Sequence, residues 1–287
     1  MSYIQDKAEV GYTRSAPGQT ERKQSVVMGL AGDWFKELPD ADTGYFQNLI
    51  EIAGGNLEVS PPVAGFGYGR LIVGAGLPAS AKEFFKAQKL QTDGGKMIEL
   101  PVDWLAVGHV DEVFTIVPSG SGFKVLVADI GLTIDLLRNN PGEETSGGFP
   151  ARAEILAVYD DPANALTIAL IANKITAIRS ALSSGLGIDQ NDFIKVPVPF
   201  SVEGGILNPN ARTYLPNMVN MLVVKNMSGL RKLVIPKPFF YPLKNELSTK
   251  LNAIGYQATE IEWGDTREPH DGHGETHCAT NSKREAP

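Results

Sequence analysis

Short runs of aliphatic and β-branched residues alternate with helical patterns along this chain, and that alternation restricts the fold to the α/β classes. Residues 70–73 and 97–100 are predicted strands, and a helix is predicted between them over 78–90. Residues 113–117 and 123–127 flank a turn rich in glycine and serine, which predicts a hairpin. The first half of the chain therefore contains the order strand, helix, strand, hairpin.

A similar order follows in the second half. A long helix is predicted over 163–184 and ends at Gly185-Leu186-Gly187, because glycine is common just after a helix. Strands are predicted at 193–196 and 218–223, and a last helix at 243–254. Recurring modules indicate an α/β architecture with pseudo-symmetry, although the residues themselves show no clear self-similarity.

Composition narrows the class of protein. The 287 residues are 43% hydrophobic, enough to bury a core in one large domain or two small ones. A formal net charge of -7 disfavours a nucleic-acid partner and favours cationic ones. The single cysteine, Cys278, excludes a disulfide within the chain and fits a reducing, cytoplasmic compartment. The apolar stretch 125–128 is soon followed by acidic residues, so we expect no membrane span.

His109 and Asp111 are the first candidates for chemistry. They lie between two predicted strands and are two residues apart, so on an extended backbone both side chains point to the same face. An imidazole and a carboxylate on one face can share proton transfer and cation binding. Taken alone, the pair is better explained by a satisfied histidine beside a solvated acid.

Cys278 lies in the polar segment 265–287, which also contains three of the four histidines, His270, His273 and His277. Its polar neighbours predict an exposed thiolate activated by nearby charge. One alternative is a zinc or copper cluster made by these histidines and the cysteine. The other is a buried thiol with only a packing role.

Acids and amides near the start form a third candidate site. Residues 5–9 (QDKAE) and 54–58 (GGNLE) offer carboxylate, amide and carbonyl oxygens, which suit Ca²⁺. Without further information, a solvated acidic segment is the favoured explanation of Asp6 and Glu9.

Several of these segments together resemble the catalytic region of the protein-arginine deiminases, which convert peptidyl arginine to peptidyl citrulline. The matching segments occur in the family's order over nearly the whole chain: 5–6 (QD), 9–12 (EVGY), 55–62 (GNLEVSPP), 103–112 (DWLAVGHVDE), 216–223 (PNMVNMLV), 235–239 (IPKPF) and 273–281 (HGETHCATN). We interpret 216–223 and 235–239 themselves as core strand and rigid loop.

The resemblance implies a fold and an organisation. The fold is a propeller of five ββαβ modules, and we expect the first module to be incomplete at the N-terminus. Residues 1–287 would form a single catalytic domain in which the polar segment, about 265–287, carries the reactive cysteine. The partner would be an arginine-containing protein or peptide, with no nucleic acid and no membrane; the oligomeric state is open.

The resemblance also implies roles for individual residues. Cys278 would attack the guanidinium carbon, Asp6 and Asp111 would hold the guanidinium N–H groups, and His109 would transfer protons. The substrate's aliphatic stem would lie against Val107 and Tyr3. The cofactor would be Ca²⁺, held by five residues whose side chains or carbonyls match the family's ion nearest the active site: Gln5, Glu9, Gly54, Leu57 and Glu58.

Two departures bear on the substrate. Gly272 and Asp33 stand where the family has arginines that line the substrate site and hold the peptide backbone. Peptidyl arginine is the first choice, and free arginine or another small guanidine is the alternative. A different alternative is an inactive calcium-binding remnant.

Overall fold

A computed structural model describes residues 54–77, 97–225, 230–272 and 274–278, together with residues 79, 82, 83, 85 and 280. It also describes three strands nearer the N-terminus by their backbone, within 9–14, 22–28 and 42–45. The predicted helix over 78–90 lies mostly outside the described residues.

The described strands form four three-stranded sheets. In each sheet the first two strands are antiparallel and the third is parallel to the second. The sheets are β1 (Glu9–Arg14), β2 (Arg22–Met28) and β3 (Asp42–Tyr45); β4 (Leu57–Val59), β5 (Leu71–Gly74) and β6 (Ile98–Leu100); β7 (Phe114–Ser119), β8 (Gly122–Asp129) and β9 (Phe193–Pro197); and β10 (Leu222–Lys225), β11 (Arg231–Pro236) and β12 (Ile261–Gly264).

Helices connect the second and third strands of the last two sheets, as parallel strands require. Between β8 and β9 lie α1 (Ile130–Asn139), α2 (Arg152–Asp160) and α3 (Ala165–Leu186); between β11 and β12 lies α4 (Tyr241–Ala253); and α5 (Arg267–Asp271) follows β12. Neither α1 nor α2 was predicted from the sequence. The start of α1 is capped by Asp129, whose carboxylate accepts a hydrogen bond from the backbone N–H of Leu132 at 2.8 Å.

The mixed α/β content is confirmed, but the repeating unit begins at a different strand from the predicted one. The predicted order was strand, helix, strand, hairpin, whereas the observed unit is an antiparallel pair followed by a strand parallel to its second member. The difference arises because β6 pairs with β5, not with the hairpin that follows it. The closed five-module propeller stays a prediction.

Two predicted boundaries are wrong. The predicted strand 218–223 begins only at Leu222, because the Asn217 side chain accepts a hydrogen bond from the backbone N–H of Val219 and holds a turn there. The long helix α3 continues through Gly185 and ends before Gly187, whose φ of 67° lies in the left-handed region that favours glycine.

The long helix α3 is a core helix by its burial pattern. One stripe of its surface is buried: Thr167, Ile171, Ile175, Ile178, Leu182 and Leu186. In the described part of the chain, the stretch Pro162–Leu186 is the one helical segment whose length and apolar composition would also allow it to cross a membrane. The spacing of the buried residues is that of an amphipathic helix packed on a sheet.

A continuous apolar core lies beneath the loops that carry the site. Trp104 and Phe200 are fully buried and meet edge to face, with ring centroids 4.9 Å apart. Val110 and Val113 belong to the same core and flank Asp111. The candidate site residues are therefore anchored by apolar neighbours on a packed base.

Candidate active site

The segment around His109 does not have the extended backbone that the sequence analysis assumed. His109 itself is extended, but Val110–Glu112 forms a single 3₁₀ turn after it. A reciprocal contact stabilises this turn, because the Glu112 carboxylate accepts a hydrogen bond from the backbone N–H of His109 at 2.8 Å. Both His109 and Asp111 are 2% exposed.

Gly55 shows that these two side chains face a common point. A Cβ atom placed at Gly55 would lie 2.7 Å from Nδ1 of His109 and 2.9 Å from Oδ2 of Asp111. The geometric expectation that the two groups share one side is therefore met, although by a turn. The close approach also explains a requirement for glycine at position 55, which the sequence analysis did not single out.

Cys278 lies against Asp111. Its Sγ atom is 3.3 Å from Oδ2 of Asp111, although the two residues are 167 positions apart in the chain. The other carboxylate oxygen of Asp111, Oδ1, is buried and has no hydrogen-bond partner among the described residues. A buried carboxylate oxygen without a partner is costly, so this atom indicates a place for a hydrogen-bond donor from a ligand.

Asn220 fixes the position of Cys278. The buried Oδ1 of Asn220 accepts hydrogen bonds from the backbone N–H groups of His277 at 3.0 Å and Cys278 at 3.3 Å. Its Nδ2 lies 3.2 Å from Sγ of Cys278 and 3.4 Å from the carbonyl oxygen of Asp111. One amide thus joins both halves of the site. This role was not predicted from the sequence, where the signal was a polar residue inside an apolar run.

Glu275 ties the cysteine segment to its surroundings. It is 5% exposed, and its carboxylate accepts hydrogen bonds from the backbone N–H of Asn217 at 3.0 Å and the hydroxyl of Thr266 at 2.6 Å. The same carboxylate lies 2.6 Å from Nδ1 of His270. Burial raises the pKa of Glu275, and its contacts with His270, Thr266 and Asn217 offset part of that effect.

The polar segment that carries the cysteine is therefore packed where the structure describes it. The alternative metal cluster finds no support there, because His270 contacts Glu275 and His277 contacts Asp111 and Glu58. Across the described ranges, no group of three or more potential histidine, cysteine or acidic ligands forms a metal site. His273 lies outside the described residues.

The electrostatics favour a protonated Cys278. Burial and the negative charge of Asp111 raise the pKa of the thiol well above its ordinary value, and hydrogen bonds that the sulfur accepts from the backbone N–H of Glu275 and from Asn220 only partly oppose this. The prediction that Cys278 is exposed is wrong, since the cysteine is 7% exposed and faces a carboxylate; its activation as a nucleophile stays a prediction. Burial likewise raises the pKa of Glu112 to about 8.

A cavity of about 280 Å³ leads to the cysteine. Cys278, Asn220 and Glu275 form one part of its wall, and Ala106 and Val107 form another. The predicted contact residue Val107 is thus placed in the cavity. Tyr3, Gln5, Asp6 and Asp33 lie outside the described residues.

The predicted calcium ligands are described in part. Gly54 begins a 3₁₀ turn, Leu57 and Glu58 begin β4, and Oε1 of Glu58 lies 3.3 Å from Nε2 of His277. The Glu58 carboxylate and the two carbonyls are hard oxygen donors, which fit Ca²⁺. Nothing is described of the Glu9 side chain.

Comparisons with known proteins point to one family. A family model described as "Protein-arginine deiminase (PAD)" matches residues 1–287. The chain is 33% identical to protein-arginine deiminase type-3 of Rattus norvegicus, 30% identical to type-1 of Mus musculus and 31% identical to type-4 of Rattus norvegicus. These alignments cover 99%, 98% and 98% of the chain, but the chain spans only 46% of each relative, about half its length.

Proposed function

Because the chain belongs to the protein-arginine deiminase family, we propose that it hydrolyses the guanidinium group of peptidyl arginine to give peptidyl citrulline and ammonia. The proposal assigns the chemistry to Cys278, Asp111 and His109, with Asp6 as the second carboxylate. The observation that carries it is the buried Asp111, which holds one carboxylate oxygen beside the cysteine sulfur and leaves the other without a partner among the described residues.

A guanidinium ion suits this position for two reasons. It is a planar cation whose N–H groups can donate to a carboxylate in a forked geometry, so it satisfies the unpartnered Oδ1 of Asp111. It also cancels the negative charge that helps to raise the pKa of the Cys278 thiol. Substrate binding therefore lowers the thiol pKa and promotes formation of the nucleophile where it is needed.

The first half of the reaction forms a covalent intermediate. The Cys278 thiol gives its proton to His109, and the sulfur attacks the guanidinium carbon. His109 then protonates the nitrogen that leaves as ammonia when its bond to carbon breaks, which leaves an S-alkylthiouronium on Cys278. Asp111 and Asp6 hold the remaining nitrogens and orient the carbon toward the sulfur.

The second half regenerates the cysteine. His109 takes a proton from a water molecule, whose oxygen bonds to the thiouronium carbon. The C–S bond then breaks, the sulfur regains its proton from His109, and the former water oxygen loses its remaining proton to solvent as neutral citrulline is released. Atoms and charge balance as one arginine cation and one water converted to one neutral citrulline, one ammonia and one proton, which together give ammonium.

We also propose that the activity depends on Ca²⁺. Its ligands would be the side chains of Gln5, Glu9 and Glu58 and the carbonyls of Gly54 and Leu57, an all-oxygen set. The bound ion would supply positive charge that orders the segment containing Asp6. Glu58 connects this set to the reacting groups, because it contacts the imidazole of His277, which also contacts Asp111 at 3.0 Å.

Mass spectrometry of arginine-containing peptides tests the proposal. Incubation with purified full-length chain and calcium should convert the arginine guanidinium to a ureido group and release ammonia. Cys278→Ser should abolish both products while peptide binding persists, and chelation of calcium should suppress them. Calcium binding without any citrulline would instead support the inactive remnant, and product formation undiminished in Cys278→Ser would refute the assigned nucleophile.

A further inference from the structure

His277 connects two carboxylates that belong to distant parts of the chain. Its Nδ1 lies 3.0 Å from Oδ2 of Asp111, and its Nε2 lies 3.3 Å from Oε1 of Glu58. Glu58 belongs to β4, and Asp111 to the 3₁₀ turn Val110–Glu112. The imidazole therefore joins both of these segments to the one that carries Cys278. The reaction steps proposed above do not use His277.

The backbone fixes where this ring stands. The backbone N–H of His277 donates to two acceptors of Asn220, the side-chain Oδ1 at 3.0 Å and the carbonyl oxygen at 3.1 Å. The carbonyl of His277 in turn accepts from the hydroxyl of Thr280 at 2.9 Å and from its backbone N–H at 3.0 Å. Because the residue is held at both its N–H and its carbonyl, its ring can impose a position on the groups that it contacts.

The ring contacts one particular oxygen of Asp111. Nδ1 of His277 and Sγ of Cys278 both approach Oδ2, at 3.0 and 3.3 Å, whereas Oδ1 has no hydrogen-bond partner among the described residues. Contacts on Oδ2 alone restrict the rotation of the carboxylate and leave Oδ1 for a ligand. A guanidinium pairs with a carboxylate through parallel hydrogen bonds in a common plane, so the orientation of Asp111 bears directly on substrate binding.

The arrangement suits a residue that orients another group rather than one that carries protons. Both ring nitrogens of His277 face carboxylate oxygens, whereas a histidine that transfers a proton to the substrate needs one nitrogen facing the reacting atoms. In such an arrangement the contact at one ring nitrogen sets the orientation of the ring for the other. Glu58 therefore acts on Asp111 through the imidazole.

We propose that His277 is a positioning residue, which holds the Asp111 carboxylate in the orientation that binds the guanidinium and is itself supported by Glu58. This rests on the deimination proposed above and adds a residue to it. The contact at Nδ1 serves substrate binding, and the contact at Nε2 keeps the ring from turning. Because Glu58 is also a proposed Ca²⁺ ligand, the test must separate the position of Asp111 from the binding of the ion.

Two amide variants separate the two contacts, because an asparagine amide can reach the position of Nδ1 and a glutamine amide that of Nε2. His277→Gln keeps the contact with Glu58 and loses the one with Asp111. Its kcat/KM for a peptide with one arginine and blocked ends should fall about a hundredfold, the scale of a misplaced reacting group. In His277→Asn the contact with Asp111 persists and only the support is lost, so the fall should stay within about tenfold.

Peptide binding is measured apart from turnover, by calorimetry in the Cys278→Ser chain. Calcium dissociation constants of each chain are determined first, and peptide affinity is then compared at saturating calcium, so that a difference cannot come from a missing ion. Affinity should be at least about fivefold weaker with His277→Gln than with His277→Asn, the scale of one hydrogen bond. Lys174→Gln is the matched control, because it removes a 2.8 Å contact with the exposed Asp103, and it should change neither quantity.

The outcomes distinguish the two proposals. Citrulline release by the parent chain with equal losses in His277→Asn and His277→Gln, or with the larger loss in His277→Asn, overturns the positioning role and leaves deimination standing. Peptide binding that is weaker in His277→Gln than in His277→Asn, without release of citrulline or ammonia by the parent chain, overturns deimination and supports the positioning role. Absence of both binding and turnover in the parent chain overturns both.

Discussion

The inner and outer parts of the cavity are built in opposite ways. At the inner part, Asp111, Asn220 and Glu275 are each at most 5% exposed, and their positions are fixed by hydrogen bonds between segments far apart in sequence. At the outer part, Arg212, Glu203 and Asp271 are exposed. Burying a polar group costs free energy unless the group is hydrogen-bonded, so the paired groups of the inner part are held in fixed positions. The exposed charges of the outer part stay solvated, so each one contributes little to the stability of the fold.

Because the two parts are built differently, they should respond differently to substitution. Changes at the inner part should affect kcat, the reactivity of the thiol and the stability of the fold together. Changes at the outer part should affect the choice of substrate with little effect on folding.

Asp111→Asn should separate the reactivity of the thiol from the reaction itself. Removing the carboxylate should lower kcat/KM for deimination by about a thousandfold, because the guanidinium loses its fixed negative partner. The same change removes a charge that raises the pKa of Cys278, so alkylation by iodoacetamide at neutral pH should become faster than in the parent chain. Asp103→Asn, an exposed aspartate paired with Lys174, should change neither rate. Slower alkylation in Asp111→Asn would contradict the electrostatic argument.

Asn220→Leu should misplace the sulfur and loosen its connection to the backbone of Asp111. The backbone N–H groups of His277 and Cys278 would lose the side-chain oxygen that holds them, so kcat should fall by about a hundredfold with a smaller change in KM. Unfolding in urea should show a loss of about 1–3 kcal/mol from the buried groups left without partners. Asn173→Leu, at an exposed position of α3, is the matched control. Unaltered kcat in Asn220→Leu would show that the amide does not position the cysteine.

Gly55→Ala should test how closely the backbone must approach the reacting groups. The added Cβ would lie 2.7 Å from the His109 ring and 2.9 Å from the Asp111 carboxylate, so both side chains must shift. We expect reduced kcat and a loss of about 1–3 kcal/mol in the free energy of unfolding, as for other overpacked sites. Gly142→Ala, where an added Cβ meets nothing within 4 Å, should preserve both quantities. If the two variants had the same kcat and the same free energy of unfolding, the backbone at Gly55 would not approach His109 and Asp111 as closely as described.

Much of this arrangement could be anticipated from the sequence, and the rest depended on distant contacts. The strand patterns near 71–74, 98–100 and 193–197 were predictable because apolar β-branched runs are local signals. Which three strands form each sheet was not predictable from those signals, because sheet pairing joins segments that can be far apart in sequence.

The same contrast holds within the site. Cys278, His109 and Asp111 could be nominated from residue type and family resemblance, and the structure brings the sulfur to the aspartate. The roles of Asn220, Glu275 and Gly55 were missed, since an amide, a carboxylate and a glycine acquire their functions only from the segments packed against them. The raised pKa of Cys278 was missed for the same reason, because burial is a property of the fold.

The smallest expected effect concerns Glu112, an acid of the inner part that the reaction does not use. Burial raises its pKa from 4.5 to about 8, so between these values the folded chain holds a proton that the unfolded chain has lost. Stability from this group is therefore complete below pH 4.5 and is lost as the pH rises through about 8.

Glu112→Gln should reduce the fall in unfolding free energy between acidic and mildly basic pH, measured by urea denaturation. The full pKa shift corresponds to a change on the order of several kcal/mol. Glu275, whose pKa burial also raises, contributes a slope of the same sign and keeps the variant from becoming flat. Glu203→Gln at the outer part should leave the parent slope intact, because that carboxylate is exposed. If both variants showed the parent dependence of unfolding free energy on pH, the desolvation of Glu112 would not affect stability. The contrast between a desolvated inner part and a solvated outer part would then have no energetic support.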